Sequence, residues 1–273
     1  MPTYVDHGAM VDLLRCEFSA VADLASGLTE RQWDEPSCLP GWTVHDVLGH
    51  MIGTESMLAG EPPPTADTSH LTHMVNPIAE ANEVWVESMR PLSGHQMADR
   101  WDAVTSRRLA TLEAMTQAEF DAPSWTPAGN DETYGRFMRI RHFDCFMHEH
   151  DIRFGLGLPA RNDPADLGSC LEEVATGLGY IVGRKAGMPE GSRVRIDLTG
   201  PLTRTFLIEV EGRARVVDSF DQPPTVGLEM PVALFLRLTG GRDDRRSDAE
   251  DQVFCSGDGE LARHLARHLA FTI

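Results

Sequence analysis

Asp144 and His148 stand four residues apart in a helical stretch, so their side chains lie one turn apart on one face and can grip a single ion. Phe137, Ile140, Met147 and Asp151 fall close to the same stripe, which points it toward a protein interior, where a carboxylate must have a partner. His50 supplies one from an earlier helix, where Val47, Met51, Thr54 and Met57 lie near it at helical spacing and turn it toward the same interior. Two imidazoles and one carboxylate, with a position left for water or substrate, make the donor set of an open zinc site. The same set also suits non-haem iron, manganese or nickel.

Spacing leaves a plainer arrangement open, in which His148 hydrogen-bonds Asp144 within its helix and His50 meets a carbonyl at the core edge. His142, Glu149 and His150 are nearby rivals that project toward other faces, and His45, in the first turn of its helix, is expected to be exposed. Asp151 has two readings: an acceptor that orients an imidazole, or a surface ion pair, of which the surface pair is the expectation. The chain contains no GxSxG, GxGxxG, Walker or HExxH motif, and His148-Glu149-His150 lacks the zincin spacing, so protease chemistry is not expected. The five cysteines (Cys16, Cys38, Cys145, Cys170 and Cys255) are scattered and never form CxxC, as in reduced, mostly buried thiols.

These residues need helices to position them, and the first half of the chain reads as helices. Val11, Leu14, Phe18, Val21, Ala25 and Leu28 outline the first. Leu39-Pro40-Gly41-Trp42 is a turn, Thr43 an N-cap with Asp46 three residues on, and a second helix runs from about 44 to 59. A third stretch covers about 75 to 91 and resumes, after a break from Pro91 to Gly94, through Trp101, Val104, Leu109, Leu112 and Met115. Pro123 to Gly129 connects it to a fourth helix, about 133 to 154. Short loops between four main helices predict an up-and-down four-helix bundle.

Gly, Pro, Asn and Asp cluster between Gly155 and Asp166, placing a domain boundary there, with domains expected at 1–158 and 159–273. Beyond a helix at about 167 to 186 the period changes. Val194 to Leu198 and Thr203 to Val210 largely alternate as strands joined at Gly200-Pro201, with shorter strands at Ala214 to Val217 and Thr225 to Leu228, and helices at about 231–239 and 258–270. The expected fold class is therefore α+β with two domains, the second built on a small antiparallel sheet.

A formal charge of -18, from 24 Lys plus Arg against 42 Asp plus Glu, repels phosphate backbones and anionic lipid, so neither nucleic acid nor membrane is expected as a partner. The basic residues Arg242, Arg245 and Arg246 alternate with Asp243, Asp244 and Asp248 and read as a solvated loop. No apolar run approaches the roughly 18 to 20 residues of a membrane span. Met1 to Leu14 carries Asp6 and Asp12 where a leader would have a basic stretch, so a cytoplasmic protein is the expectation.

Two segments, Leu39-Pro40-Gly41-Trp42-Thr43-Val44-His45-Asp46-Val47-Leu48-Gly49-His50 and Arg141-His142-Phe143-Asp144-Cys145-Phe146-Met147-His148-Glu149-His150-Asp151-Ile152-Arg153, resemble the DinB-like, mycothiol-dependent maleylpyruvate isomerase family. The resemblance implies a metal-binding DinB-like bundle with His50, Asp144 and His148 as ligands, and a sterol-carrier-like C-terminal domain, which Val194 to Val217 and Phe254 to Ala270 resemble. It also implies a divalent metal, zinc first, and mycothiol or a similar thiol as co-substrate. The thiolate would attack a small electrophile: addition to a cis-enone acid, rotation and elimination give the trans isomer, whereas an alkylating agent gives a thioether. The isomerase itself carries Glu where this chain has Asp144. Arg237 and Arg242 are the candidate catalytic anchors for an acidic substrate, with a plain surface arginine as the other, favoured reading of each. A small-ligand-binding protein and a metal-dependent hydrolase are the alternatives, and oligomeric state is left open.

Overall fold

The computed structural model describes residues 2–71, 77–242 and 252–272. It divides into two units, 1–161 and 162–273.

The first unit contains helices α1 (His7–Ser26), α2 (Glu30–Trp33), α3 (Val44–Leu58), α4 (Pro77–Met89), α5 (Gly94–Glu113) and α6 (Gln117–Phe120). A hairpin of β1 (Pro123–Thr126) and β2 (Gly129–Thr133) leads into α7 (Tyr134–Gly155). The helix starts follow side-chain chemistry. Thr43 caps α3 by accepting from Asp46 N while Asp46 Oδ2 accepts from Thr43 N at 3.1 Å, and Ser93 with Gln96 repeats the arrangement on α5. Four helices close a ring, with α1 packed on α5 and α7, and α3 packed on the same two, which forms the expected bundle. The third stretch breaks where expected, Pro91 and the Ser93 cap stopping α4 and starting α5, and its expected first residues, 75 and 76, lie outside the described residues. The segment expected to be a plain connection, 123–129, instead starts the β1–β2 hairpin.

The core of this unit runs between the ring helices through Leu14, Phe18, Leu48, Met51, Ile52, Trp101, Leu112 and Phe120. Trp101 meets Phe18 edge to face at 5.4 Å and donates its indole N–H to the Phe18 carbonyl at 3.0 Å, so its one polar atom is satisfied. Met57 and Ile140, read as part of the inward stripes, lie at the margin: Met57 is exposed and Ile140 half-buried. Helix α4 packs on α3 at Gly53, where a Cβ would fall 2.5 Å from Trp85 Cβ and 2.7 Å from Trp85 Cγ. Gly53→Ala is therefore expected to lower stability by about 1–3 kcal/mol through overpacking, more than the roughly 1 kcal/mol gained in helix propensity. Denaturant unfolding checks this, and an unshifted midpoint would mean that α4 gives way freely.

The second unit contains α8 (Pro164–Tyr180) with a π-helical turn at Ile181–Lys185, strands β3 (Arg193–Thr199), β4 (Arg204–Glu211), β5 (Arg213–Val217) and β6 (Val226–Pro231), α9 (Val232–Thr239), β7 (Phe254–Gly257) and α10 (Gly259–Ala266). The strands order as β5-β4-β3-β6-β7. The sheet is mixed, which corrects the antiparallel expectation: β6 pairs with β3 in parallel, Val194 opposite Val226, Ile196 opposite Leu228 and Leu198 opposite Met230. Hairpin turns dictate antiparallel pairing for β3, β4 and β5, but with β5 on the outer edge of β4 the returning chain joins the free edge of β3. Val194, Ile196, Leu198, Phe206, Ile208 and Val210 turn one face inward, and α8, α9 and α10 pack against the sheet. Arg195, Asp197 and Thr205 pair with one another on the other face. Of the mixed-charge tract, residues 243–251 lie outside the described residues. No helix among the described residues is long and apolar enough to cross a membrane.

Candidate metal centre

Helix α3 carries His50 and α7 carries Asp144 and His148, and packing of α3 on α7 brings the three together. His50 Nε2 lies 3.4 Å from Asp144 Oδ2 and His148 Nε2 lies 3.6 Å from Asp144 Oδ1, and one donor atom from each residue falls within 4.8 Å of the others. Those separations are long for N–H···O bonds, whose usual length is about 2.9 Å. They are short enough for groups converging on one ion, since donors each about 2.1 Å from a tetrahedral metal sit about 3.4 Å apart, and the two imidazoles approach opposite oxygens of Asp144. Both imidazoles are buried, while the Asp144 side chain is 32% exposed, so the cluster opens to solvent on the carboxylate side. The donor chemistry and spacing fit a divalent ion with a free position.

The surrounding groups set the charge. Burial is the largest influence on Asp144 and would raise its pKa, but the Arg141 guanidinium, aided by both imidazoles, holds the carboxyl well below the usual range. Burial dominates at His50 and pushes it down, toward the neutral imidazole a metal needs. At His148 burial also lowers, yet the nearby charge of Asp144 and the hydrogen bond of Asp151 prevail, and the group is raised.

Asp151 is fully buried and accepts from His148 Nδ1 at 3.0 Å, while its other oxygen accepts from the Cys38 thiol at 3.1 Å. The expectation of a surface ion pair is overturned: three residues beyond His148, the carboxylate turns inward with it and fixes the ring so that Nε2 faces the cluster. Asp151→Asn is expected to weaken metal binding by about 10- to 100-fold, as loss of such orienting groups does; competition titration with a chelator measures it, and unchanged affinity would leave Asp151 no role at the centre.

His50 has no such orienter, since its Nδ1 is buried without a hydrogen-bond partner among the described residues. Ring packing holds it instead, with His148 at 4.8 Å and Trp42 at 5.4 Å between centroids. Trp42 belongs to a loop closed by a Pro36–Thr43 bridge and by Ser37, whose N and Oγ both donate to the Trp42 carbonyl. A Cβ at Gly155 would fall 2.9 Å from the Pro36 carbonyl, so glycine at the end of α7 lets this loop close over the centre. The Trp42 indole N–H donates to Glu83 of α4 at 2.6 Å.

Two of the rivals, His150 and Glu149, are engaged elsewhere, as their faces suggested. His150 Nε2 pairs with the Arg161 carbonyl, and Glu149 binds Arg153 and Arg161. His45 is buried, not exposed, because the start of α3 is covered and its Nε2 meets the Leu92 carbonyl at 3.0 Å. Arg237 and Arg242 belong to the second unit, where Arg237 lies in the last turn of α9 and Arg242 donates from its backbone N to the Arg237 carbonyl and from Nη1 to the Gly240 carbonyl. Sequence reasoning missed Glu55 and Arg108, both buried, which join Arg141 to form a charged chain ending on Asp144.

Residues 14–153, just over half of the chain, match the family of the Mycothiol maleylpyruvate isomerase N-terminal domain. The crystal structure of the mycothiol-dependent maleylpyruvate isomerase is similar over 92% of this chain and 93% of its own, with a TM-score of 0.58 and 17% identity. A mutant of that enzyme with a histidine replaced by alanine matches over the same shares, at 0.57 and 16%. No curated protein matches the chain in sequence. At such identities the solved structures establish the α+β architecture, a helical N-terminal region followed by a mixed-sheet domain. With the family match falling on both segments that supply the three donors, the chain belongs to the Mycothiol maleylpyruvate isomerase N-terminal domain family.

Proposed function

We propose that this chain is a thiol-dependent metalloenzyme, an isomerase or S-transferase acting on a small electrophile. The carrying observation is the cluster of His50, Asp144 and His148, spaced for one ion and open beside Asp144. A divalent ion held there, zinc first, would keep a small thiol such as mycothiol in its nucleophilic thiolate form. The protein's own groups prepare the place: Arg141 keeps Asp144 ionised, Asp151 aims His148, and Trp42 shields both imidazoles. The buried Cys145 is not a rival nucleophile, because burial pushes its thiol well above the usual range.

The test is zinc-loaded protein given a low-molecular-weight thiol with cis-enone acids or alkylating agents. Turnover that requires both zinc and thiol is expected. Thiol-independent hydrolysis of esters or amides would instead select a hydrolase using bound water, and a co-purified apolar ligand on metal-free protein would select a binding role.

A further inference from the structure

Three charged side chains cross the interior of the first unit: Arg108 on α5, Glu55 on α3 and Arg141 on α7, each at most 4% exposed. Glu55 accepts from Arg108 Nε at 3.0 Å with one oxygen and from Arg141 Nε at 3.0 Å with the other. The remaining edges of the Arg141 guanidinium are also assigned, Nη1 to Asp144 Oδ2 at 2.5 Å and Nη2 to Cys145 Sγ at 3.4 Å. Buried ion pairs add little net stability over well-packed apolar groups, so a chain of them that ends on one carboxylate calls for another explanation.

We propose that Arg141, clamped by Glu55, is the positioning residue for Asp144. This inference rests on the metal reading of the cluster. Arg141 and Asp144 are three apart on one helix, and alone such a pair samples several rotamers. Glu55 removes that freedom from a different helix, five residues beyond His50 on α3. One rigid fork therefore ties the helix bearing His50 to the helix bearing Asp144 and His148, and fixes their register at the ligands. Because Nη1 holds Oδ2 alone, Asp144 cannot swing into a two-pronged pair with Arg141, and Oδ1 stays turned toward His148.

The sign of a substitution separates positioning from plain electrostatics. A cation beside a metal site repels the metal, so if Arg141 acted through charge alone, Arg141→Met would bind zinc more tightly and Arg141→Lys would bind as wild type. Positioning requires the opposite. Both variants should bind zinc alone about ten-fold more weakly, as removal of ligand-orienting groups does, and cobalt-loaded samples should show altered visible absorption, which reports ligand geometry. Metal-free melting curves identify any variant that fails to fold. For that case Glu55→Gln, which leaves Arg141 in place but unclamped, should also weaken zinc several-fold and broaden the cobalt spectrum. Zinc affinity equal to or above wild type in Arg141→Lys and Arg141→Met, with an unchanged cobalt spectrum, overturns the positioning role and leaves the metal centre standing. Wild-type protein that takes up no zinc overturns both.

Discussion

His50→Ala is expected to lose its bound zinc while remaining folded, with affinity lower by about 10³-fold. That figure is one ligand's share of the roughly 10–16 kcal/mol that zinc sites supply at neutral pH. The substitution is a clean one. His50 Nδ1 has no partner among the described residues, so truncation strands no buried hydrogen-bonding group. His148→Ala removes a ligand too, but it also takes a partner from the fully buried Asp151, and its metal-free form should melt earlier than that of His50→Ala. Elemental analysis with circular dichroism melts reads both effects. A full equivalent of zinc in folded His50→Ala would sink the proposed centre.

The three candidate donors are legible in the sequence because each sits in a helix whose apolar spacing is regular. Thr43 and Asp46 mark the start of α3 through chemistry that is local, and i,i+4 spacing fixes Asp144 against His148 whatever the tertiary fold. What spacing cannot show is how much of a helix is covered. Helix α7 is buried on nearly every side, with Arg136, Arg139, Arg141, His142, Glu149 and Asp151 all inside. Hydropathy reads such residues as a solvated face, and so Asp151 looked like a surface partner and Glu55 and Arg108 went unnoticed. A buried charge is identified by its partners, and these come from segments far apart in sequence: Glu55 and Arg141 are 86 residues apart and Cys38 and Asp151 are 113.

The second unit shows the same division between local and distant information. Alternation and the Gly200-Pro201 turn give β3 and β4, whose inward residues match those observed. The parallel pairing of β6 on β3 depends on which edge of the sheet is free after β5 has docked, and no local pattern encodes that. The short edge strand β7 escaped because Phe254–Gly257 is mostly exposed and has no alternating face to read.

The same buried chain that positions Asp144 should also make Arg108 costly to remove. Arg108→Ala is expected to destabilise the first unit by about 3–5 kcal/mol, the cost of breaking a buried ion pair from one side. Glu55, 1% exposed, would keep only Arg141, and the Tyr134 hydroxyl would lose the guanidinium N–H it accepts at 3.2 Å. The pull of an unbalanced Glu55 would fall on Arg141 and reach Asp144, so weaker zinc binding should accompany the lost stability even though Arg108 touches no ligand. Arg15, whose partners Asp12 and Glu113 are exposed, provides the control, since such surface pairs contribute little and Arg15→Ala should leave the unfolding midpoint almost unchanged. Urea unfolding of metal-free protein, followed by the helical signal, compares the two. Equal small shifts for both would mean that water or a rearranged core satisfies Glu55, and the buried chain would then be too soft to hold Asp144 in register.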